Sequence, residues 1–462
     1  MSSIFGILQA GKSAVLAQQK GIAVTGQNIS NVGTAGYARR RLILNPGVAI
    51  PSSSGPIGTG VVAKGIERVY DSFLGAQINQ EEQELGRWES RRDALDMTEI
   101  RFNEAAGDGL SETLGEFWNA WQDLANDPSG YVQRVSLVAK GEDLAYQFQT
   151  VYDALSPIPS PWDDQVEDAV SQINLKAAAI ADLNEKIVQV ETSGHNANEQ
   201  RDARDLALKE LSSLIDINTY EQGNGTVAVI LGDGKGLVDG VNYRELTTTN
   251  NDEGHKDVSW LDLPAASINN SISGGALKGL IETRDEMVPG YRESLETLVG
   301  TITEQVNALH TRGFGLDGST GVSFFTGRLS SGNFAVNSQI VSDTDKIAAA
   351  QTTAGLPGDN QMALAVADLQ STSVGIGKTN TTFSDYYTSI VSRVGTDVQY
   401  AQNRIDNQTE MLTYLDNYRE SVSGVSLDEE MINLIQYQRS YESAAKLISV
   451  ADEMLSTLIN SL

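Results

Sequence analysis

Cysteine is absent from the 462-residue chain, which excludes disulfides, thiolate zinc sites, iron–sulfur clusters and cysteine nucleophiles. Histidine is almost absent: His195, His255 and His310 are the full complement, so a histidine-based metal centre is not expected. Aromatic residues reach only 6%. Basic residues are outnumbered, with 33 Lys and Arg against 61 Asp and Glu and a net charge of −28. A surface of that sign repels nucleic acid and anionic membranes. No run of about eighteen apolar residues occurs, so no membrane-spanning helix and no membrane insertion is expected. A cleavable signal peptide is not expected either. Gln9, Lys12, Gln18, Gln19 and Lys20 interrupt the apolar start, and no basic leader precedes it.

Acid is missing where base is present. The first 66 residues hold six Lys or Arg and no Asp or Glu, leaving 27 basic and 61 acidic residues for the other 396. A transit peptide has such a composition; the other reading is that the two parts of the chain meet different surroundings. Both ends also carry a seven-residue repeat. At the start it runs through Met1, Leu8, Val15, Ile22 and Ile29, with a second column at Ile4, Gly11, Gln18, Thr25 and Val32. At the end it runs through Leu427, Leu434, Tyr441, Ile448, Leu455 and Leu462, with a second column at Met431, Gln438, Ala445, Asp452 and Ile459. Such a repeat predicts a coiled-coil seam. Residues 427–462 contain no Gly or Pro and would span about 54 Å as a helix. The N-terminal helix instead contains Gly6, Gly11, Gly21 and Gly26. Together they cost about 4 kcal/mol against alanine, so this helix is expected to form only when a partner packs closely on it. Residues 1–35 and 425–462 are accordingly expected to be disordered in a free subunit, around a folded centre.

Between the ends the pattern changes several times. A turn-rich stretch, Asn31 to Gly36, leads into extended residues 37–70. Residues 72–215 read as helix almost throughout, punctuated at Ser111, at Asp127-Pro128 and at Pro157, Pro159 and Pro161. Residues 217–271 turn to β character, with a glycine hairpin between Val227–Leu231 and Leu237-Val238. Helical periodicity returns over 273–312, gives way to loop and short strand over 313–360, and resumes in a long helix at 384–421. The predicted fold is mainly α with a small β domain. Its parts are a terminal coiled coil (1–36 and 424–462), a long-helix bundle (37–216 and 272–423) and an inserted β-rich module (217–271) that is peripheral to the bundle.

Few motifs offer chemistry. Gly6 to Ser13 fits the phosphate-loop pattern G-x-x-x-x-G-K-[ST] letter for letter. That loop needs a strand before it and an open turn for its amides, whereas the repeat runs through Leu8 and Val15 and predicts continuous helix. Acidic clusters such as Asp163-Asp164 and Asp428-Glu429-Glu430 read as solvated or helix-starting charge, and no G-x-S-x-G accompanies the histidines. Arg39-Arg40-Arg41 reads as a docking patch for an acidic surface. No catalytic residue, cofactor or metal is expected.

The segment from Asn28-Ile29-Ser30-Asn31 to Gly36-Tyr37, and the tail from Gly424 through Leu427 and Met431 to Tyr441, resemble the end signatures of the axial proteins of the bacterial flagellum: rod, hook and hook-associated. Gly232 to Gly240, Gly274-Gly275-Ala276-Leu277 with Arg284-Asp285, and Val306 to His310 narrow the resemblance to the members that sit where hook meets filament. That resemblance implies a structural protein, exported through the flagellar type III pathway, that self-assembles as a ring. It implies as partners the hook protein, a second junction protein and an export chaperone on the C-terminal segment. An outer β domain of better-known members, between the counterparts of Phe325 and Ser338, has no room here. Periodicity and signatures together give Leu8, Val15, Ile22, Asn28, Ile29, Asn31, Gly36, Tyr37, Leu427, Met431, Leu434, Tyr441, Ile448, Leu455 and Leu462 as the expected assembly interface. The rival readings are a nucleotide hydrolase using Gly6–Ser13 and a generic coiled-coil binding protein.

Overall fold

The computed structural model describes residues 2–49, 55, 58–102, 109–155 and 160–460. Met1, Leu462, Pro157 and Pro159 lie outside that set. The chain opens with helix α1 (Ser2–Ser30) and an antiparallel hairpin, β1 (Arg40–Pro46) and β2 (Val61–Arg68). Five helices follow: α2 (Ser72–Phe102), α3 (Leu110–Asn126), α4 (Tyr131–Ala154), α5 (Pro161–Thr192) and α6 (Asn198–Leu214). The sequence breaks expected near Ser111, Asp127 and Pro161 fall between these helices. A further break, at Ser193 to Ala197, was not expected; Gly194 supplies its left-handed turn at φ +82°.

Seven strands come next. β3 (Asn218–Glu221), β4 (Val227–Ile230), β5 (Gly236–Asp239) and β6 (Asn242–Tyr243) form one antiparallel sheet. β7 (Leu246–Asn250), β8 (Lys256–Trp260) and β9 (Leu263–Ser267) form another. Helix α7 (Gly275–Glu282), a π-helical turn at Thr283–Met287 and α8 (Val288–His310) return to the bundle. Short elements fill the rest: β10 (Phe325–Thr326), β11 (Ala335–Val336), α9 (Ser338–Ser342), α10 (Gln361–Ala367), β12 (Val374–Ile376) and β13 (Thr379–Thr381). The last two helices are α11 (Phe383–Ser423) and α12 (Leu427–Asn460).

Aromatic residues are few, and they are concentrated. Phe117, Trp118 and Trp121 of α3 meet Phe324, Phe325 and Phe383, with Trp118 stacked on Phe383 at 5.6 Å between ring centres. The interval from Phe325 to Ser338, where an outer domain was not expected, closes as the tight β10–β11 hairpin; Gly327 (φ +81°) sits where a Cβ would strike the Asn333 backbone.

The strand region, expected as an inserted module peripheral to the bundle, shares the core of the bundle. Val229, Leu237, Val238, Val258 and Trp260 belong to the same continuous core as Ile173, Ala177 and Ile180 of α5. Two asparagines on α5 act as mock strand partners. Asn174 donates to the Leu246 carbonyl (2.8 Å) and accepts from its N–H (2.9 Å). Asn184 donates to the carbonyls of Val227 and Gly240 (2.9 and 2.7 Å) and accepts from Val227 N–H (3.0 Å). Asp163, which closes a capping box with Ser160 at the start of α5, also accepts from Lys256 N–H (2.9 Å) and from Arg284 Nη1 (2.8 Å), and lies 3.1 Å from His255 Nδ1. Burial alone would raise the Asp163 carboxyl, but those hydrogen bonds and the Arg284 charge hold it below the usual carboxylate range. Arg284 is fully buried and also faces Asp257 and Asp285. The Arg284-Asp285 pair of the sequence signature is thus a structural tie between α5, β8 and the π-helical turn.

Candidate assembly surface

The two chain ends pack on each other. A Cβ on Gly11 would lie 2.7 Å from Ile448 Cγ1, and one on Gly21 would lie 2.8 Å from the Tyr437 ring. Rising numbers on α1 meet falling numbers on α12, so the helices run antiparallel. At Gly11 and Gly21 the side chains of Ile448 and Tyr437 lie directly on the α1 backbone, where any larger residue would collide. Gly6 and Gly26 face open space.

The seam lies slightly to one side of the expected stripes. On α12 the most buried seam residues are Glu430, Ala444 and Ala451, and Tyr437 completes their seven-residue step half-buried. Leu434, Tyr441, Ile448 and Leu455 flank that line half-buried, whereas Leu427 and Met431 are exposed, at 48% and 49%. The expected second column at 431, 438, 452 and 459 also faces outward. Small alanines at 444 and 451 let the helices close up, and the contact line runs three residues on from the Leu434, Tyr441 and Ile448 column. On α1, Leu8, Val15, Ile22 and Ile29 are half-buried, while Ile4, Gly11, Ala17, Gly21, Val24, Thr25 and Asn28 are buried. Here a second neighbour is responsible: the β1–β2 hairpin covers another side of α1, with Val61 N–H donating to Ser13 Oγ at 3.3 Å.

The N-terminal signature is a clasp. Asn28, 1% exposed, donates to the Arg40 carbonyl (2.9 Å) and accepts from Arg40 N–H (2.9 Å) and Tyr37 Oη (2.9 Å). It therefore pins the start of β1 to the end of α1, as a neighbouring strand would. Asn31 donates to Gln27 O at 2.9 Å and ends the helix. Gly36 takes φ +78° against Leu206, where a side chain would be strained. Burial raises the Tyr37 hydroxyl above its ordinary range.

The arginine triplet finds its acids within the chain, so it is not the outward docking patch that its charge suggested. Arg39 pairs with Glu430 (2.7 Å) and Glu429 (2.8 Å), and Arg40 with Glu199 (3.2 Å) and Asp202 (3.7 Å). Arg68 adds pairs to Asp202 (3.2 Å) and Asp205 (2.5 Å). Only Arg41 of the three is exposed. Acids distant in sequence carry no local signal, which is why Glu199 and Asp202 escaped the sequence reading and why Glu430, read there as solvated or helix-starting charge, is instead a buried partner of Arg39.

The phosphate-loop match is helix from end to end, since Gly6 to Ser13 lie within α1. Its amides are committed to the helix, and Lys12 is exposed on its surface. That overturns the nucleotide reading. No group of His, Asp or Glu suited to a metal occurs among the described residues. No helix among them is long and apolar enough to cross a membrane.

Comparison with known proteins agrees with this geometry. The family model "Flagellar hook-associated protein FlgK helical domain" matches residues 95–325, and "Flagellar basal body rod FlgEFG protein C-terminal" matches residues 419–462. Flagellar hook-associated protein 1 of Bacillus subtilis is 30% identical over 503 positions, covering 100% of this chain and 99% of that protein. The protein of the same name from Escherichia coli is 24% identical over 550 positions, covering both chains in full. The structure described as the flagellar hook junction protein FlgK from Burkholderia pseudomallei superposes with a TM-score of 0.63 at 16% identity, over 75% of this chain and 100% of that one. With a matching family model and a full-length relative at that identity, the chain belongs to the flagellar hook-associated protein 1 (FlgK) family, whose members are structural components of the flagellum and not enzymes.

Proposed function

We propose that this chain forms a ring at the hook tip that joins hook to filament, with self-assembly driven through α1 and α12. The observation that carries this reading is the apolar surface left open on the terminal pair. Phe5 (61% exposed), Ile432 (65%), Ile435 (52%) and Ile459 (68%) point away from the α1–α12 seam. Neighbouring copies would bury them, and at about 25 cal/mol per Å² that burial supplies the stability the glycine-rich α1 lacks. The expected interface residues take two roles in this picture. Leu8, Val15, Ile22, Ile29, Leu434, Tyr441, Ile448 and Leu455 hold the pair together, while Leu427 and Met431 meet neighbours. Leu462 lies outside the described residues.

The hook protein below and a second junction protein above complete the set of partners. An export chaperone would cover the apolar C-terminal segment before assembly, and the flagellar type III pathway would carry the chain out without a cleaved signal peptide. Residues 1–36 with 424–462 would form the inner tube and 37–216 with 272–423 the helical layer. Residues 217–271 would be an outward-facing segment rooted in that layer. Deleting the gene for this chain and imaging hook tips tests the reading. Bare hooks with flagellin released into the medium are expected; filaments still attached to hooks would contradict it.

A further inference from the structure

The terminal pair is connected to the helical body by only two covalent crossings, residues 31–39 and residues 424–426, and neither is helical. Two such crossings alone would let the pair swivel. Arg39 lies where both meet. Its N–H donates to the Ser423 carbonyl at the end of α11 (3.0 Å), and its own carbonyl accepts from Val69 N–H just beyond β2 (2.7 Å). Its side chain reaches the first turn of α12, with Nε 2.7 Å from Glu430 and Nη1 2.8 Å from Glu429. One residue thus ties three other segments to its own. The Glu430 side chain is only 3% exposed, so its carboxylate has little water to fall back on if the guanidinium moves away. Asp202 of α6 braces the other side by accepting from Ala38 N–H (3.5 Å) and Arg68 (3.2 Å) and by facing Arg40.

We propose that Arg39 is the pin of a charged joint that fixes the angle between the α1–α12 pair and the helical body, and so transmits bending force across the hook–filament junction. The inference rests on the junction function, and it differs from the assembly reading because the seam could form with the joint loose. The two-pronged guanidinium grip suits such a pin: it resists rotation, which a single ammonium contact does not.

The test uses a strain whose only copy carries Arg39→Ala. Flagellin released by unsheared cells reports assembly, and filaments retained under graded shear report the joint. Release should stay at the parent level, while filaments should detach at a several-fold lower shear. Exchanging the charges, Arg39→Glu with Glu430→Arg, should recover most of the retention. Parent-level retention in Arg39→Ala would overturn the proposal, as would a charge exchange no better than Arg39→Ala alone. Flagellin escaping from unsheared Arg39→Ala cells would also overturn it, because Arg39 would then serve assembly and not the angle. Arg39→Lys replaces Arg39→Ala if the latter loses its helical signal, and the same outcomes decide. Attached filaments in a strain lacking the chain would instead refute the junction reading itself.

Discussion

His310 shows how a buried ionisable side chain sets a pH dependence. Its Nδ1 lies 2.6 Å from the Val322 carbonyl and must donate to it, while Nε2 accepts from Ala348 N–H at 2.9 Å. A second proton on Nε2 would face that N–H, and burial pushes the imidazole down to about 4. The unfolded chain takes up this proton near pH 6.5. Stability from His310 is therefore complete above about pH 6.5 and falls as the pH drops towards about 4, by up to about 3 kcal/mol. Urea unfolding across that range, with the ring followed by NMR, should show a neutral His310 at pH 5; a charged ring in the folded protein at pH 6 would contradict it. Arg284 makes the complementary case. Arg284→Ala leaves the Asp163 carboxylate buried without its cation and should cost about 3–5 kcal/mol in urea unfolding. A loss below about 1 kcal/mol, no more than an exposed ion pair contributes, would show that the tie between α5 and the strands is incidental.

Individual helices differ in how much they depend on what packs against them, and α1 depends most. Gly21 and Gly26 are both interior glycines of this helix, but only Gly21 lies against a partner side chain, the Tyr437 ring. Gly26→Ala should stabilise α1 by up to about 1 kcal/mol. Gly21→Ala should weaken the α1–α12 pair, because overpacking costs about 1–3 kcal/mol and exceeds that gain. Circular dichroism melting of the two variants separates the cases; shifts in the same direction would mean that the seam is not where it is drawn. Most elements were legible in the sequence because periodicity and breakers act locally. Helices α1, α11 and α12, the hairpin at Val227 to Val238 and the proline break before α5 were all readable in this way. Most strands from β3 to β9 were not, because short polar strands such as Leu246–Asn250 take their register from Asn174 across the core. The contact line on α12 was displaced for a similar reason: hydrophobicity points to Leu434 and Ile448, while close packing is set by the small side chains of Ala444 and Ala451.

At the scale of the whole molecule, the end signatures were the most informative part of the sequence, and the structure explains why. Asn28, Tyr37 and Gly36 close the turn from α1 into the hairpin, and the first turn of α12, at Glu430, lies beside it. What could not be read was the joint itself, since Arg39, Asp202 and Glu430 come together only through folding. Pairing of the two ends as the basis of assembly is tested most directly by Leu455→Asp. Stepping seven residues along each helix from the Gly11–Ile448 contact brings Leu455 level with Ile4, which is buried. A carboxylate there should block assembly, because an unpaired charge in an apolar seam costs several kcal/mol. The central helices should stay folded, since their core does not include α12. Ser456→Asp, one residue away and exposed, serves as the control. Cells carrying Leu455→Asp should show bare hooks and release flagellin, while Ser456→Asp cells keep their filaments. Attached filaments in both strains, or their loss in both, would contradict the terminal pairing.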